Sequence, residues 1–80
     1  AGAEIDLVLV FPDDERWAVE IKRNLAPRPE RGFHAACEDL TPARSFIVYP
    51  GEESYPLSSG IEVLPLPTLA GLVAERAGKS

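Results

Sequence analysis

The spacing of hydrophobic and polar positions changes along the chain and predicts four strands and two helices. Residues 4–11 contain two acids followed by an unbroken apolar run rich in β-formers, as expected for a strand covered on both faces. Residues 12–15 have the composition of a turn, and residues 17–22 form a second predicted strand. Because the connection is short, we expect these two strands to pair as an antiparallel hairpin.

A helical stripe follows the hairpin. Its apolar members are spaced at i, i+3, i+4 and i+7, which is one face of an α-helix. They are Phe33, Ala36, Cys37 and Leu40. The Thr-Pro pair at 41–42 ends this predicted helix.

In the second half of the chain the pattern again predicts strands followed by a helix. Residues 45–49 and 61–64 are predicted strands, separated by a loop rich in Glu, Ser, Pro and Gly. Thr68 is expected to cap a last helix. The inward-facing residues of that helix are predicted to be Leu69, Leu72 and Val73. The whole pattern predicts an α/β fold with a mixed sheet of about four strands, an N-terminal antiparallel hairpin and two helices.

Composition narrows the class of protein. Eighty residues suffice for one small domain, residues 1–80, with a thin margin of stability. The net charge of −5 argues against nucleic-acid binding over the whole surface, so any phosphate contact must come from a local patch, from a metal ion or from parts of a longer protein. One cysteine, Cys37, cannot form an internal disulfide and favours a reducing, cytoplasmic setting. No apolar run is long enough for a membrane span.

Four charged residues of the hairpin are the candidates for chemistry. Side chains alternate across a strand, so Glu4 and Asp6 share one face, as do Glu20 and Lys22. A turn with an odd number of residues puts Asp6 opposite Glu20 and Glu4 opposite Lys22. An even number puts these pairs on opposite faces, and the sequence leaves the loop length open.

The odd-numbered alternative gathers the residue types that a divalent metal site needs. Mg²⁺ prefers carboxylate oxygens and keeps several waters, so two carboxylates on facing strands suffice to hold it. Such an ion activates a bound water and polarises a phosphoryl oxygen. Lys22 points the same way as Glu20 and is suited to orient the water or to stabilise developing negative charge.

A purely structural interpretation stands beside this one. Glu4 and Lys22 could form a cross-strand ion pair worth about 0.2–1 kcal/mol, with the other acids solvated at a strand end. Cys37 and Trp17 are predicted to be core residues, and His34 lacks a second histidine for a zinc site. Lys22 and three nearby arginines form the one local basic cluster, suited either to phosphate contact or to a solvated helix start. These arginines are Arg23, Arg28 and Arg31.

The residues also resemble a known family. The segments Gly-Ala-Glu-Ile-Asp-Leu-Val at 2–8 and Val-Glu-Ile-Lys at 19–22 resemble a domain of unknown function at the C-terminus of many prokaryotic AAA-type ATPases. That domain is itself similar to the PD-(D/E)xK nuclease core. The strand and turn at 46–51 and the ending at 61–66 agree, so the resemblance covers nearly the whole chain.

The resemblance implies roles for particular residues. Asp6 would be the metal-binding acid of the first motif, and Glu20 the acid of the (D/E)xK motif. Lys22 would be the catalytic lysine, with the backbone carbonyl of Ile21 as an additional Mg²⁺ ligand. No role follows for Glu4.

The same resemblance implies a restriction-endonuclease-like core fragment. The superfamily core starts with a helix and a strand before the Asp6 segment, and neither is present in this sequence. The expected function is metal-dependent cleavage of DNA within an ATPase. The alternative is a catalytically inactive interaction or regulatory module of that ATPase. An isolated fragment would expose a sheet edge and apolar surface, which favours self-association into a homodimer.

Overall fold

Seven elements make up the part of the chain that the computed structural model describes, residues 5–78. In chain order they are β1 (Leu7–Val10), β2 (Arg16–Ile21), α1 (Arg31–Leu40), β3 (Arg44–Val48), β4 (Tyr55–Pro56), β5 (Glu62–Leu64) and α2 (Leu66–Gly78). The strands form one sheet in the order β1-β2-β3-β5-β4. β2, β3 and β5 run parallel, and the edge strands β1 and β4 run antiparallel to their neighbours.

The mixed α/β sheet with an N-terminal antiparallel hairpin is therefore confirmed. The strand count is five rather than about four, because β4 lies inside the predicted loop before Gly60. β4 is two residues long and ends with Pro56 at the sheet edge. A strand this short has no detectable period, and proline is tolerated at an edge because no ladder bond is needed there.

Each helix covers one face of the sheet. The core on one face contains Leu69 of α2, with Leu72 and Val73 packed against it as predicted. Its strand and hairpin residues are Phe11, Trp17, Val19, Phe46, Val48 and Leu64. The core on the other face contains Phe33 of α1, with Cys37 and Leu40 packed against it; its remaining buried residues are Ala18, Ile47, Tyr49, Ile61 and Val63.

The sequence predicts the end of α1 correctly but not the start of α2. α1 ends where the Thr-Pro pair predicts, since Thr41 adopts a left-handed conformation (φ 49°) and its N–H bonds the Cys37 carbonyl. Thr68 is not the cap of α2. The Thr68 and Leu69 N–H groups bond to the carbonyl of Pro65, so the helix begins at Leu66 and Thr68 lies in its first turn.

The expectation that β1 is covered on both faces is wrong. β1 is an edge strand, and three of its four residues are exposed: Leu7 by 43%, Val8 by 39% and Val10 by 59%. The residues in the two cores come mainly from the central strands, so β1 projects beyond the cover that the helices provide. An exposed apolar edge of this kind favours self-association, which stays a prediction.

The loop between β1 and β2 fixes the register of the hairpin. Residues 11–15 connect the strands, an odd number, and the pairing sets Leu7 opposite Val19. Within the loop the Asp14 N–H bonds the Phe11 carbonyl, and Asp14 takes a positive φ of 71°. The Asp13 carboxylate accepts a hydrogen bond from the Glu15 N–H at 3.1 Å.

The positive φ at Asp14 gives the first testable prediction. Only glycine, and to a lesser degree Asn and Asp, adopts this conformation readily. We expect Asp14→Val to lower the free energy of unfolding by about 1–2 kcal/mol, and Asp14→Gly to preserve or slightly raise it. Urea unfolding followed by the fluorescence of the single tryptophan, Trp17, measures both. Equal stabilities for the two variants would contradict this role of the loop.

Candidate functional site

The candidate site lies at the carboxyl end of β2, beside the start of α1. Ligands of α/β proteins commonly bind at the carboxyl ends of parallel strands. Glu20 is the penultimate residue of β2, and Lys22 directly follows the strand. The Lys22 N–H donates to the Val48 carbonyl at 2.8 Å, so the backbone stays fixed to β3 where the motif ends.

Glu20 is the one buried charged residue among those the structure describes, with 6% exposure. One of its carboxylate oxygens accepts the Glu30 N–H at 3.4 Å, and the other lies 3.6 Å from Lys22 Nζ. Burial raises the pKa of the Glu20 carboxyl, and the charge of Lys22 and the Glu30 hydrogen bond offset only part of that effect. A desolvated carboxylate with a raised pKa is typical of functional sites.

Asp6 reaches the same place from the neighbouring strand. Its Oδ2 accepts a hydrogen bond from the Ile21 N–H at 2.8 Å. Continuing the observed register by one residue beyond Leu7 sets Asp6 opposite Glu20, which is the odd-numbered alternative. The Asp6 carboxylate is thus held at the peptide that joins Glu20 to Ile21, on the exposed side of the site.

Lys22 bridges two carboxylates. Its Nζ donates to Glu30 Oε1 at 2.5 Å and lies 3.6 Å from Glu20 Oε2. The hydrogen bond to Glu30 raises the pKa of the Lys22 ammonium, so the lysine remains a cation and a donor at neutral pH. Glu4 is the third hairpin acid that the sequence suggests for this site. It lies outside the described residues, so its pairing with Lys22 stays a prediction.

The donor set fits a divalent cation of the magnesium type. Among residues 5–78 no group of three or more His, Cys, Asp or Glu side chains is placed to hold a metal. Mg²⁺ needs fewer, since one or two carboxylates and several waters satisfy it. Asp6 and Glu20 supply hard oxygen ligands at one strand end, and burial of Glu20 strengthens its attraction for a cation.

Comparison with known proteins identifies the family. The model of a family described as a domain of unknown function, DUF4143, matches residues 1–69. The chain belongs to the DUF4143 family. It is 40% identical over 63 residues to the uncharacterized proteins Rv2008c of Mycobacterium tuberculosis and Mb2031c of Mycobacterium bovis. The alignment covers 79% of this DUF4143 chain but 14% of either relative, and no solved structure matches it.

One site residue of this DUF4143 domain escaped the sequence analysis. Glu30 touches both Glu20 and Lys22, although it is separated from them by a loop without regular structure. The available signal was Pro29, because proline is common where helices begin; in the structure it directly precedes Glu30, the N-cap residue of α1. A helix start that follows a functional strand faces the end of that strand in a parallel α/β arrangement.

The residues for which the sequence predicts no catalytic or metal-binding role lie partly in the core and partly on the surface. Trp17 is buried (1% exposed), as predicted, and Cys37 is half-buried with its Sγ 3.6 Å from Ser45 Oγ. His34 is exposed and lines a groove of about 520 Å³ together with Arg28. Neither described helix is long and apolar enough to span a membrane.

The burial of Glu20 gives a second prediction. A raised pKa means that the folded protein holds the Glu20 proton more tightly than the unfolded chain. Stability is therefore lost as the pH rises from the ordinary value of 4.5 through the folded-state pKa. We expect the uncharged Glu20→Gln to be more stable than the wild type at neutral pH, by about 0.5–2 kcal/mol. The difference should vanish below about pH 4.

Urea unfolding at both pH values measures this difference. Glu38→Gln is the control, because Glu38 is exposed and should show no such trend. A Glu20→Gln variant that is less stable than the wild type at neutral pH would show that the Glu20 carboxylate is a structural anchor instead.

Proposed function

We propose that this DUF4143 domain is nuclease-like and hydrolyses phosphodiester bonds, with a divalent cation held by Asp6 and Glu20 and with Lys22 as the catalytic lysine. The observation that carries the proposal is the hydrogen bond from the Ile21 N–H to Asp6, which brings the second carboxylate to the strand end where Glu20 is buried. The resemblance to the PD-(D/E)xK superfamily supports the same assignment. The residue types and their shared location are those that metal-assisted hydrolysis needs.

Each residue has a separate task. Asp6 and Glu20, with the Ile21 backbone carbonyl, would hold Mg²⁺. When bound, this ion lowers the pKa of a water and polarises a phosphoryl oxygen. Lys22 stays cationic and donates a hydrogen bond to the oxygen on which negative charge develops. The partly water-excluded end of β2 strengthens these interactions, because screening is weaker there than in bulk water.

The basic residues near the site favour a polyanionic substrate, and we propose DNA. Arg44 is paired with Glu62, and Arg76 with Asp13 and Glu15. In contrast, the exposed arginines of the segment that joins Lys22 to the start of α1 form no ion pair with any residue between 5 and 78; they are Arg23, Arg28 and Arg31. In a chain of net charge −5, three of the four described arginines without an ion pair thus lie in the segment that follows the motif, and the fourth, Arg16, lies at the start of β2.

The same proposal assigns the domain to a larger cytoplasmic protein. The mycobacterial relatives are several times longer than this chain, which spans 14% of their length. The sequence resemblance is to a domain of AAA-type ATPases, so we expect an ATPase module to be the partner within the parent protein.

A second candidate function is that of an inactive interaction or regulatory module. The exposed edge strand β1 favours it, since its apolar residues and unpaired backbone form a surface on which another strand can add. The two functions differ in their requirement for Asp6 and Glu20. An interaction module tolerates loss of these carboxylates, whereas a nuclease does not.

The proposal predicts metal-dependent cleavage that depends on three residues. With Mg²⁺ or Mn²⁺ and labelled DNA, the wild-type chain should cleave, and Asp6→Asn or Glu20→Gln should abolish cleavage because each removes a ligand charge. Lys22→Met should reduce turnover by about 10²–10³-fold, the usual effect of losing a transition-state donor. Gel analysis of the products measures all four proteins.

Asp39→Asn is the matched control, because it removes an exposed carboxylate of α1 at the end away from the site. It should cleave like the wild type. Cleavage by Glu20→Gln would contradict the proposed hydrolytic function. So would a wild-type chain that binds the metal but does not cleave DNA.

A further inference from the structure

Glu30 contacts both residues of the acid-x-lysine motif, and it does so with two different groups. Its side-chain Oε1 accepts from Lys22 Nζ at 2.5 Å, and its backbone N–H donates to Glu20 Oε1 at 3.4 Å. Glu30 is neither part of the motif nor on the same strand. The start of α1 is thereby joined to the two residues that carry the proposed chemistry.

Helix capping does not account for a glutamate at this position. Glu30 is the N-cap residue of α1, and its side chain makes no capping hydrogen bond. N-cap positions favour Ser, Thr, Asp and Asn, whose short side chains reach the free N–H groups of the first turn. The side chain of Glu30 points instead to Lys22, which is its one hydrogen-bond and ion-pair partner among the described residues.

The position of Lys22 poses an electrostatic problem for metal binding. Its ammonium lies 3.6 Å from Glu20 Oε2, on the same carboxylate that would take a divalent cation. Two cations at one carboxylate repel each other strongly at such separations. A lysine with Glu20 as its sole anchor would either occupy the metal-binding carboxylate or be driven out of the site when the cation arrives.

We propose that Glu30 is a positioning residue that anchors Lys22, so that Glu20 can exchange the ammonium for a divalent cation while the lysine stays in the site. This inference rests on the proposed hydrolytic function and adds a residue to its machinery. The carboxylate of Glu30 suits the task because its side chain is 69% exposed, so pairing with Lys22 removes little of its hydration. The Glu20 carboxylate, whose side chain is 9% exposed, then remains available to bind the metal.

A double-mutant cycle on Mn²⁺ affinity tests the anchor without requiring catalysis. In Glu30→Ala, Lys22 has only Glu20 left as a partner and competes with the metal, so the Kd for Mn²⁺ should rise about three- to fivefold. Lys22→Met removes the competitor and should bind Mn²⁺ at least as tightly as the wild type. The double variant Glu30→Ala/Lys22→Met should match Lys22→Met within about twofold.

Calorimetry on the 80-residue chain gives the four dissociation constants, and Trp17 fluorescence checks that each variant is folded. Glu38→Ala is the control for lost negative charge. Glu38 lies on α1, about 12 Å along the helix axis from Glu30. At this distance the effect of its charge on the metal is largely screened. It should leave the Kd unchanged.

The outcomes separate the anchor from the function. A Glu30→Ala variant with the wild-type Kd overturns the inference, and so does a Kd that rises equally with and without Lys22, since that is a plain charge effect. A chain that shows the predicted cycle but never cleaves DNA supports the anchor and overturns only the hydrolytic function. A wild-type chain that binds no Mn²⁺ overturns both.

Discussion

The register of the β1–β2 hairpin is the constraint on which the candidate site depends. Side chains alternate across a strand, so a slip of one residue would carry Asp6 to the opposite face from Glu20. The loop at 11–15 prevents this slip through its odd length and the positive φ of Asp14. The Asp6–Ile21 hydrogen bond then closes the open end of the hairpin beside the site. A local turn preference thus decides whether Asp6 and Glu20 lie opposite each other on the hairpin.

A buried charge dominates the energetics of the site. Glu20 loses hydration at the end of β2, and the surrounding groups compensate only part of that cost, which is why its pKa rises. Lys22 and the N–H of Glu30 are the groups that compensate. Because the compensation is only partial, a divalent ion bound at this carboxylate, as proposed, would offset more of the cost of burial. The cost of burying this carboxylate and the metal binding proposed for it would then have the same origin.

Much of the fold was predictable because its patterns are local. The period of two in β2 correctly put Glu20 and Lys22 together, and the stripe of α1 and its Thr-Pro ending were also right. The register stayed open because it depends on the loop conformation. The edge position of β1 was missed because an unbroken apolar run does not reveal which strands the helices cover. The Glu30 contact spans a loop without regular structure, so no periodic pattern could indicate it.

A divalent-cation site at the end of β2, formed by Asp6 and Glu20, is the basis of the proposed function, and paramagnetic NMR can locate the bound ion. Mn²⁺ broadens amide signals steeply with proximity, so titration of the isotopically labelled chain locates the ion. We expect broadening to be confined at first to the amides around Asp6, Glu20 and Ile21, and to be lost in Glu20→Gln. Broadening spread over the acidic surface, or no localised effect at millimolar Mn²⁺, would contradict the account.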